Sequence, residues 1–352
     1  MAGTDYPVNH PQARKKWSAD LMKEALKKTH LLQFAGSGSD NIIQIKSDLN
    51  KDAGDRVRFG LRHQLTGAGI QGDGVLEGNE EALEIYSQDV YIDQLRHAVR
   101  SSGKMSEQRV PFSVRAEARD GLSDWWADRF DTWLFNQLAG NTGQGDTKYT
   151  GNQACVAPDS DHVLIGSATG STAEASLSAT TVAKFNLKFI DEAVERAQLL
   201  KNALRPVRVG NGSYLVLFLH PAQVTSLRTS TDTGQWLDIQ KAALSGGDGK
   251  SSPIFTGALG VYNGVILHKS TRIPSSPGLN ASVRRAILCG AQAAQMAFGK
   301  GYGKGSFTWK EEMFDYDNQL GVAAGCIGGV VKTVFNSSDF GTMVIPSYDV
   351  AV

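Results

Sequence analysis

Gly67-x-Gly69-x-x-Gly72, within "LTGAGIQGDGVLEGNEE", has the spacing with which a glycine-rich loop cradles a pyrophosphate. Such a loop needs a buried strand before it and a helix straight after it, so that free amides and the helix N-terminus meet the phosphates. Here the preceding residues alternate with arginines, as a half-exposed antiparallel strand does. The residues that follow include Asp73, Glu77, Glu80 and Glu81, with no Lys or Arg between 66 and 82, a charge of 0 − 4 = −4. Acid at that point repels phosphate, so the glycines read as a flexible loop tip. In "SGGDGKS" (245–251), Leu244 stands where a phosphate-cradling loop has its first glycine, and in "FGKGYGKGS" Gly305 follows Gly303-Lys304 where Ser or Thr is required. The seven histidines show no i, i+4 pair and there is no Gly-x-Ser-x-Gly elbow, although ligands that converge only in space leave no such trace. Asp315 and Asp317 lack the downstream glycine and glutamate of a calcium loop and read as turn-forming acids. No catalytic, cofactor-binding or metal-ligating residue is assigned.

A chain of 352 residues can hold one large core or two linked ones. Hydrophobic residues at 41% and charged ones at 20% describe an ordinary soluble globular protein. Lys plus Arg (36) balances Asp plus Glu (36), which excludes an overall basic field for nucleic acid and lets many copies lie side by side without repulsion. Cys155, Cys289 and Cys326 are far apart and odd in number, which points to buried thiols in a reducing compartment. The start, "MAGTDYPVNHPQARKKW", lacks the apolar core of a signal peptide, and no apolar run approaches the roughly 20 residues that span a bilayer, so an intracellular product is expected.

Residues 12–34 read as a helix with Trp17, Leu21, Ala25 and Leu32 near one face. The charge over 1–30 is 6 − 3 = +3, read as a solvated face because no aromatics interleave with it. In "DRVRFGLRHQL", Val57, Phe59, Leu61 and Leu65 alternate with Arg56, Arg58, Arg62 and Gln64, a strand with one wet face. "LEIYSQDVYID", with Ile85, Val90 and Ile92, is a second strand, and the two form a hairpin around a long loop. Over 112–139, Leu122, Trp125, Trp126, Phe130, Trp133, Leu134 and Leu138 step by three and four. That stripe predicts a core-packing helix of roughly 40 Å, the spine of the fold. "GNTGQGDTKYTGNQ" marks a loop and subdomain boundary, and a second amphipathic helix is expected over 181–204. "YLVLFLHP" (214–221) reads as a buried central strand ended by proline, with "GVILHKS" and "RRAILCG" as its neighbours. Strand-like runs with glycines close the chain, and no repeat of fixed period is visible.

The hairpin poses a physical problem. A two-stranded ribbon is marginal alone in water, and its apolar face needs a cover. Arg56, Arg58 and Arg62 against Asp55 give the stem 3 − 1 = +2, while the tip is −4. A basic stem and an acidic glycine-rich tip suit docking on another copy of the chain, and head-to-tail contacts of that kind build rings and shells. Arg56, Arg58, Arg62, Asp73, Glu77, Glu80 and Glu81 are therefore the expected interface residues, and charge reversal at Glu80 and Glu81 is expected to impair assembly more than folding.

"RFGLRHQLTGAGIQGDGVLEGNEEAL", "VYIDQLRHAVRSSGKMSEQRV" and "DWWADRFDTWLFNQLAG", with the later "YLVLFLHPAQVTSL" and "ILCGAQAAQMAFGKG" through "EEMFDYDNQLGVAAGCIGG", are the runs that identify a relation. Together they resemble the major capsid protein family of tailed double-stranded DNA phages related to coliphage N-four, over most of the chain. The resemblance implies an α+β subunit of the Hong Kong 97-type capsid fold. Residues 1–50 would be an N-terminal arm and 51–111 the extended loop and its return. Residues 112–150 and 300–352 would form the peripheral domain with the spine helix, and 151–299 the axial domain. It implies a non-enzymatic shell protein, without cofactors, whose hexamers and pentamers close an icosahedral head around double-stranded DNA. Portal, scaffolding and cement proteins would be partners, and the site would be the virion, assembled in the host cytoplasm. Some shells of this fold join a loop lysine to a neighbour's asparagine, yet no lysine lies between Lys51 and Lys104, so non-covalent reinforcement is expected. The alternatives are an encapsulin-like compartment shell and a soluble nucleotide-binding enzyme.

Overall fold

The computed structural model describes residues 31–46, 54–62, 65, 67–180, 183–209, 212–229, 258–275, 282–299 and 308–350. The helix expected over 12–34 lies outside these except for its end, where Leu32–Phe34 is a single 3-10 turn. The glycine loops at 245–251 and 300–306 also lie outside them.

In chain order, β1 (Ala35–Gly36) and β2 (Ile43–Lys46) precede β3 (Arg56–Arg62), β4 (Ile85–Tyr91) and β5 (Asp93–Arg100). Helices α1 (Lys104–Arg109), α2 (Val114–Leu138) and α3 (Leu187–Leu199) follow, then β6 (Val207–Val209), β7 (Gly212–Leu219) and α4 (Pro221–Thr229). The rest is strand: β8 (Ala258–Tyr262), β9 (Val265–Lys269), β10 (Val283–Cys289), β11 (Ala294–Phe298), β12 (Thr308–Phe314), β13 (Gln319–Lys332), β14 (Val334–Phe335), β15 (Ser338–Asp339) and β16 (Thr342–Tyr348). One sheet has the order β1-β2-β11-β13-β12 with β5 also on β13; the other runs β16-β10-β7-β9-β8 with β6 on β7.

Helix α2 starts where the Ser113 hydroxyl accepts a hydrogen bond from the Ala116 amide at 3.4 Å. Leu122, Trp126, Phe130, Trp133, Leu134 and Leu138 are buried, as their spacing predicts, and Trp125 is half-buried. Toward its C-terminus the helix is buried all round, so its polar side chains need partners. Asp131 accepts from the Leu31 amide at 3.2 Å and from the Arg272 guanidinium at 2.6 Å. Trp133, Asn136 and Gln137 donate in turn to the carbonyls of Lys148 (2.6 Å), Tyr149 (2.9 Å) and Thr150 (2.6 Å), strapping that loop to the helix.

The apolar run of β7 is uninterrupted because both faces are covered. Val216 and Phe218 pack in the cluster that contains α2. Leu215, Leu217 and Leu219 pack with Phe189, Ile190, Ala193 and Ala197 of α3 and Val224 and Leu227 of α4. Each such side chain contributes about 1.5–3 kcal/mol on burial. Its expected neighbours are in place, β9 parallel and β10 antiparallel to it. The three cysteines are buried and unpaired, and burial pushes the Cys155 thiol up to about 11 and that of Cys326 to about 12.

Two sequence boundaries move. Helix α3 begins at Leu187, six residues later than expected, because the Asn186 side chain caps it by accepting from the Phe189 amide at 3.4 Å. Both sheets cross the boundary drawn at 299/300: β11 joins β13, and β16 pairs with β10 over seven residues from Val283↔Tyr348 to Cys289↔Thr342. Linear continuity cannot reveal a ladder between strands so far apart in the chain.

Candidate assembly interface

The hairpin expected from the alternation of arginines and apolar residues is present. Strands β3 and β4 pair antiparallel from Arg56↔Tyr91 to Arg62↔Ile85. Val57, Phe59 and Val90 point inward, as the period of two requires, and pack on Ala297 of β11 and Val331 of β13. The cover of the stem therefore comes from its own chain, which corrects the expectation that a neighbour supplies it; the small Ala297 and the outward-facing Val331 leave room for the ribbon.

Polar contacts fix the stem in the same place. Gln88 donates to the Lys332 carbonyl at 2.8 Å and accepts from the Val334 amide at 3.0 Å, clamping β4 to the end of β13. Lys46 donates to the Arg58 carbonyl at 3.2 Å and its ammonium lies 4.7 Å from the Phe59 ring centre. A Cβ at Gly329 would collide with the Tyr91 carbonyl oxygen, so only glycine admits the ribbon there. Gly329→Ala is expected to lift the stem at a cost of about 1–3 kcal/mol. Hydrogen exchange should then accelerate at the β3 and β4 amides while β7 keeps its protection; unchanged exchange in the hairpin would contradict this packing.

The seven charged residues singled out in the sequence separate into two kinds. Arg58 forms a two-point pair with Asp89 at 2.7 and 2.9 Å, and that hydrogen bond holds the Asp89 carboxyl below the usual aspartate range. Arg56 lies 3.5 Å from the same carboxylate and over the Tyr91 ring. Glu81 accepts from the Gly67 amide at 2.7 Å and Glu80 from the Gly78 amide at 2.8 Å, so these two acids shape the loop. Among the described residues, Arg62, Asp73 and Glu77 make no side-chain hydrogen bond or ion pair, and all three are exposed. Asp89 and Gln88, which organise the stem, sit at polar positions of β4 whose partners, Arg58 and the end of β13, alternation alone does not reveal.

Beyond the stem the loop is uncovered. Leu65, Val75, Leu76, Leu83 and Ile85 are each more than half exposed, which corrects the inward placement expected of Leu65 and Ile85. Gly69 and Gly72 take positive φ (66° and 63°) with open space where a Cβ would stand. No helix follows them before α1, and the strand before them is antiparallel, so the loop has neither wall of a pyrophosphate cradle. Asp315 and Asp317, with Tyr316 between them, form the positive-φ turn joining β12 to β13. Among the described residues no cluster of three or more His, Cys, Asp or Glu is placed to hold a metal ion, and no helix is long and apolar enough to cross a membrane. The feature that stands out is a ribbon anchored at its base whose tip leaves apolar side chains and acids exposed.

A family model described as "Phage capsid protein" matches residues 5–351. A major capsid protein of Pseudomonas phage KPP25 is 27% identical, over 93% of this chain and 93% of its own length. The solved capsid of Ralstonia phage GP4 superposes with a TM-score of 0.84 at 34% identity, covering 99% of both chains. The capsid of cyanophage Pam1 shares the fold at 20% identity, with a TM-score of 0.75 over 99% of this chain and 100% of that one. The architecture is the α+β, Hong Kong 97-type capsid fold, and the compartment-shell alternative gives way to it. From residue 5 to residue 351, through both sheets, the spine helix and the anchored hairpin, the chain belongs to the phage capsid protein family, and its function is that of a major capsid protein.

Proposed function

We propose that copies of this chain form hexamers and pentamers that close an icosahedral head around packaged double-stranded DNA, each subunit laying its loop tip across a neighbour. The observation that carries this reading is the contrast within one hairpin: Val57, Phe59 and Val90 are buried on the chain's own body, while Val75, Leu76 and Leu83 are exposed beside Asp73 and Glu77, which make no ion pair among the described residues. Asp73, Glu77 and Arg62 make the contact, and Arg56, Arg58, Glu80 and Glu81 hold the ribbon in the shape that presents it.

Residues 1–50 act as an arm, 51–111 as the extended loop and its return, 112–150 and 300–352 as the peripheral part, and 151–299 as the axial part at capsomer centres. Two exchanges between the sheets qualify the last division: β11 belongs with the peripheral sheet and β16 with the axial one. The protein acts without catalysis, assembles in the host cytoplasm with portal, scaffolding and cement proteins, and meets DNA non-specifically, as its zero net charge suits. Reinforcement is non-covalent, since no lysine lies between Lys51 and Lys104.

Negative-stain microscopy of the purified chain tests the proposal. Closed particles that run as one monomer band after boiling in detergent are expected. A small discrete oligomer would overturn the shell reading, and a ladder of joined subunits would overturn the non-covalent one.

A further inference from the structure

One exposed turn carries chemistry of its own. Strands β8 and β9 are joined by Asn263 and Gly264 alone, with Tyr262 and Val265 as the closing register pair. Both turn residues take positive φ (46° and 73°), the conformation of the tight hairpin turn that Asn-Gly favours, and both are exposed. One carboxylate clips the turn to α3: Asp191 accepts from the Asn263 side-chain amide at 3.0 Å and from the Tyr262 hydroxyl at 3.0 Å. The Gly264 carbonyl accepts from the Leu215 amide of β7 at 3.0 Å, whereas among the described residues the Gly264 amide donates to no acceptor. A Cβ at Gly264 would meet nothing within 4 Å, so the backbone nitrogen beside it is open to approach.

We propose that Asn263 is a site at which the subunit modifies itself, losing its side-chain amide and thereby releasing the β8–β9 turn from α3. The Gly264 nitrogen gives up its proton to solvent and bonds to Asn263 Cγ; the Cγ–Nδ2 bond breaks, and that nitrogen leaves as ammonia. Water then opens the cyclic imide at either carbonyl, leaving aspartate or isoaspartate, and the proton of the new acid converts the ammonia to ammonium. One water is consumed for each amide lost, and no oxidant, metal or second protein takes part. Attack requires the amide first to leave Asp191, which makes the conversion slow, and the escape of ammonia makes it one-way.

The product undoes the clip. A donor 3.0 Å from Asp191 becomes a second carboxylate, so attraction turns into like-charge repulsion. Isoaspartate also adds a carbon to the backbone of a turn whose length sets the register of both strands. The formal charge of each copy falls from 36 − 36 = 0 to 36 − 37 = −1, a change that a shell repeats at every subunit. The chain's other Asn-Gly pair, Asn211-Gly212, differs: the Tyr214 ring stands where a Cβ at Gly212 would be, so Gly212 is crowded and Gly264 is not.

Peptide mapping of the full chain by mass spectrometry, during incubation in mildly alkaline buffer, tests the first step. Asn263 should gain about 1 Da, partly as isoaspartate, at least about threefold faster than any other asparagine of the chain, Asn211 included. A rate at Asn263 no higher than at Asn211, or than at asparagines not followed by glycine, overturns the site. Asn263→Asp tests the second step in freshly made protein: amide hydrogen exchange at the β8–β9 turn should rise at least about threefold while α2 keeps its protection. Asp191→Asn with Asn263→Asp exchanges amide and carboxylate between the two positions and should return exchange to within about twofold of the parent. Parental exchange in Asn263→Asp, or no recovery in the double change, overturns the release.

Discussion

A chain in which residues 63–84 are replaced by a two-residue Asn-Gly turn is expected to fold normally and to form no shells. Arg62 and Ile85 are register partners, so a two-residue connection can join β3 to β4 without disturbing the ladder. None of the described residues among those replaced belongs to a buried hydrophobic cluster. Shortening a long loop also lowers its closure entropy slightly, so subunit melting should stay where it was or rise. Assembly responds differently. Even a contact of about 3 kcal/mol shifts one pairing equilibrium by roughly a hundredfold, and a closed shell repeats the contact at every subunit. Sedimentation should show only free subunits or single capsomers, and megadalton particles from the shortened chain would contradict the role given to the tip.

The second large effect concerns the junction beneath the stem. Lys332 is fully buried and pairs at 2.7 Å with Asp339, itself 2% exposed, and burial lowers the Lys332 pKa from its usual value. The same residue's backbone binds Gln88 of the hairpin and Gln137 of the spine helix, so three parts of the subunit meet there. Lys332→Met leaves the Asp339 carboxylate buried without its cation, which is expected to destabilise the unassembled subunit by about 3–5 kcal/mol. Lys332→Met with Asp339→Asn removes both charges and keeps an acceptor for the Asp159 amide, now 3.3 Å from the carboxylate. More than half of the loss should return. Urea unfolding of the free subunits measures both, and equal destabilisation by the single and double changes would show that the pair is not coupled.

Much of this subunit was legible before its structure. A period of two with arginines outside located β3, a period near four with tryptophans located α2, and an unbroken apolar run marked β7 as covered on both faces. Each is a local rule acting on neighbouring residues. The readings that shifted depend on distant partners. Nothing around Val57 or Phe59 announces that Ala297 and Val331 lie beneath them, so the stem was assigned to a neighbour. Glu80 and Glu81 differ from Asp73 and Glu77 only in the backbone amides that the loop brings to them, which composition does not encode.

The most direct measurement of the central claim is a cryo-electron microscopy map of assembled particles sharp enough to trace residues 55–92. The predicted result is a stem lying on its own chain at Gly329 and a tip, 65–84, resting on another subunit. A tip folded onto its own subunit, or standing free in solvent with no second chain against it, would contradict the account.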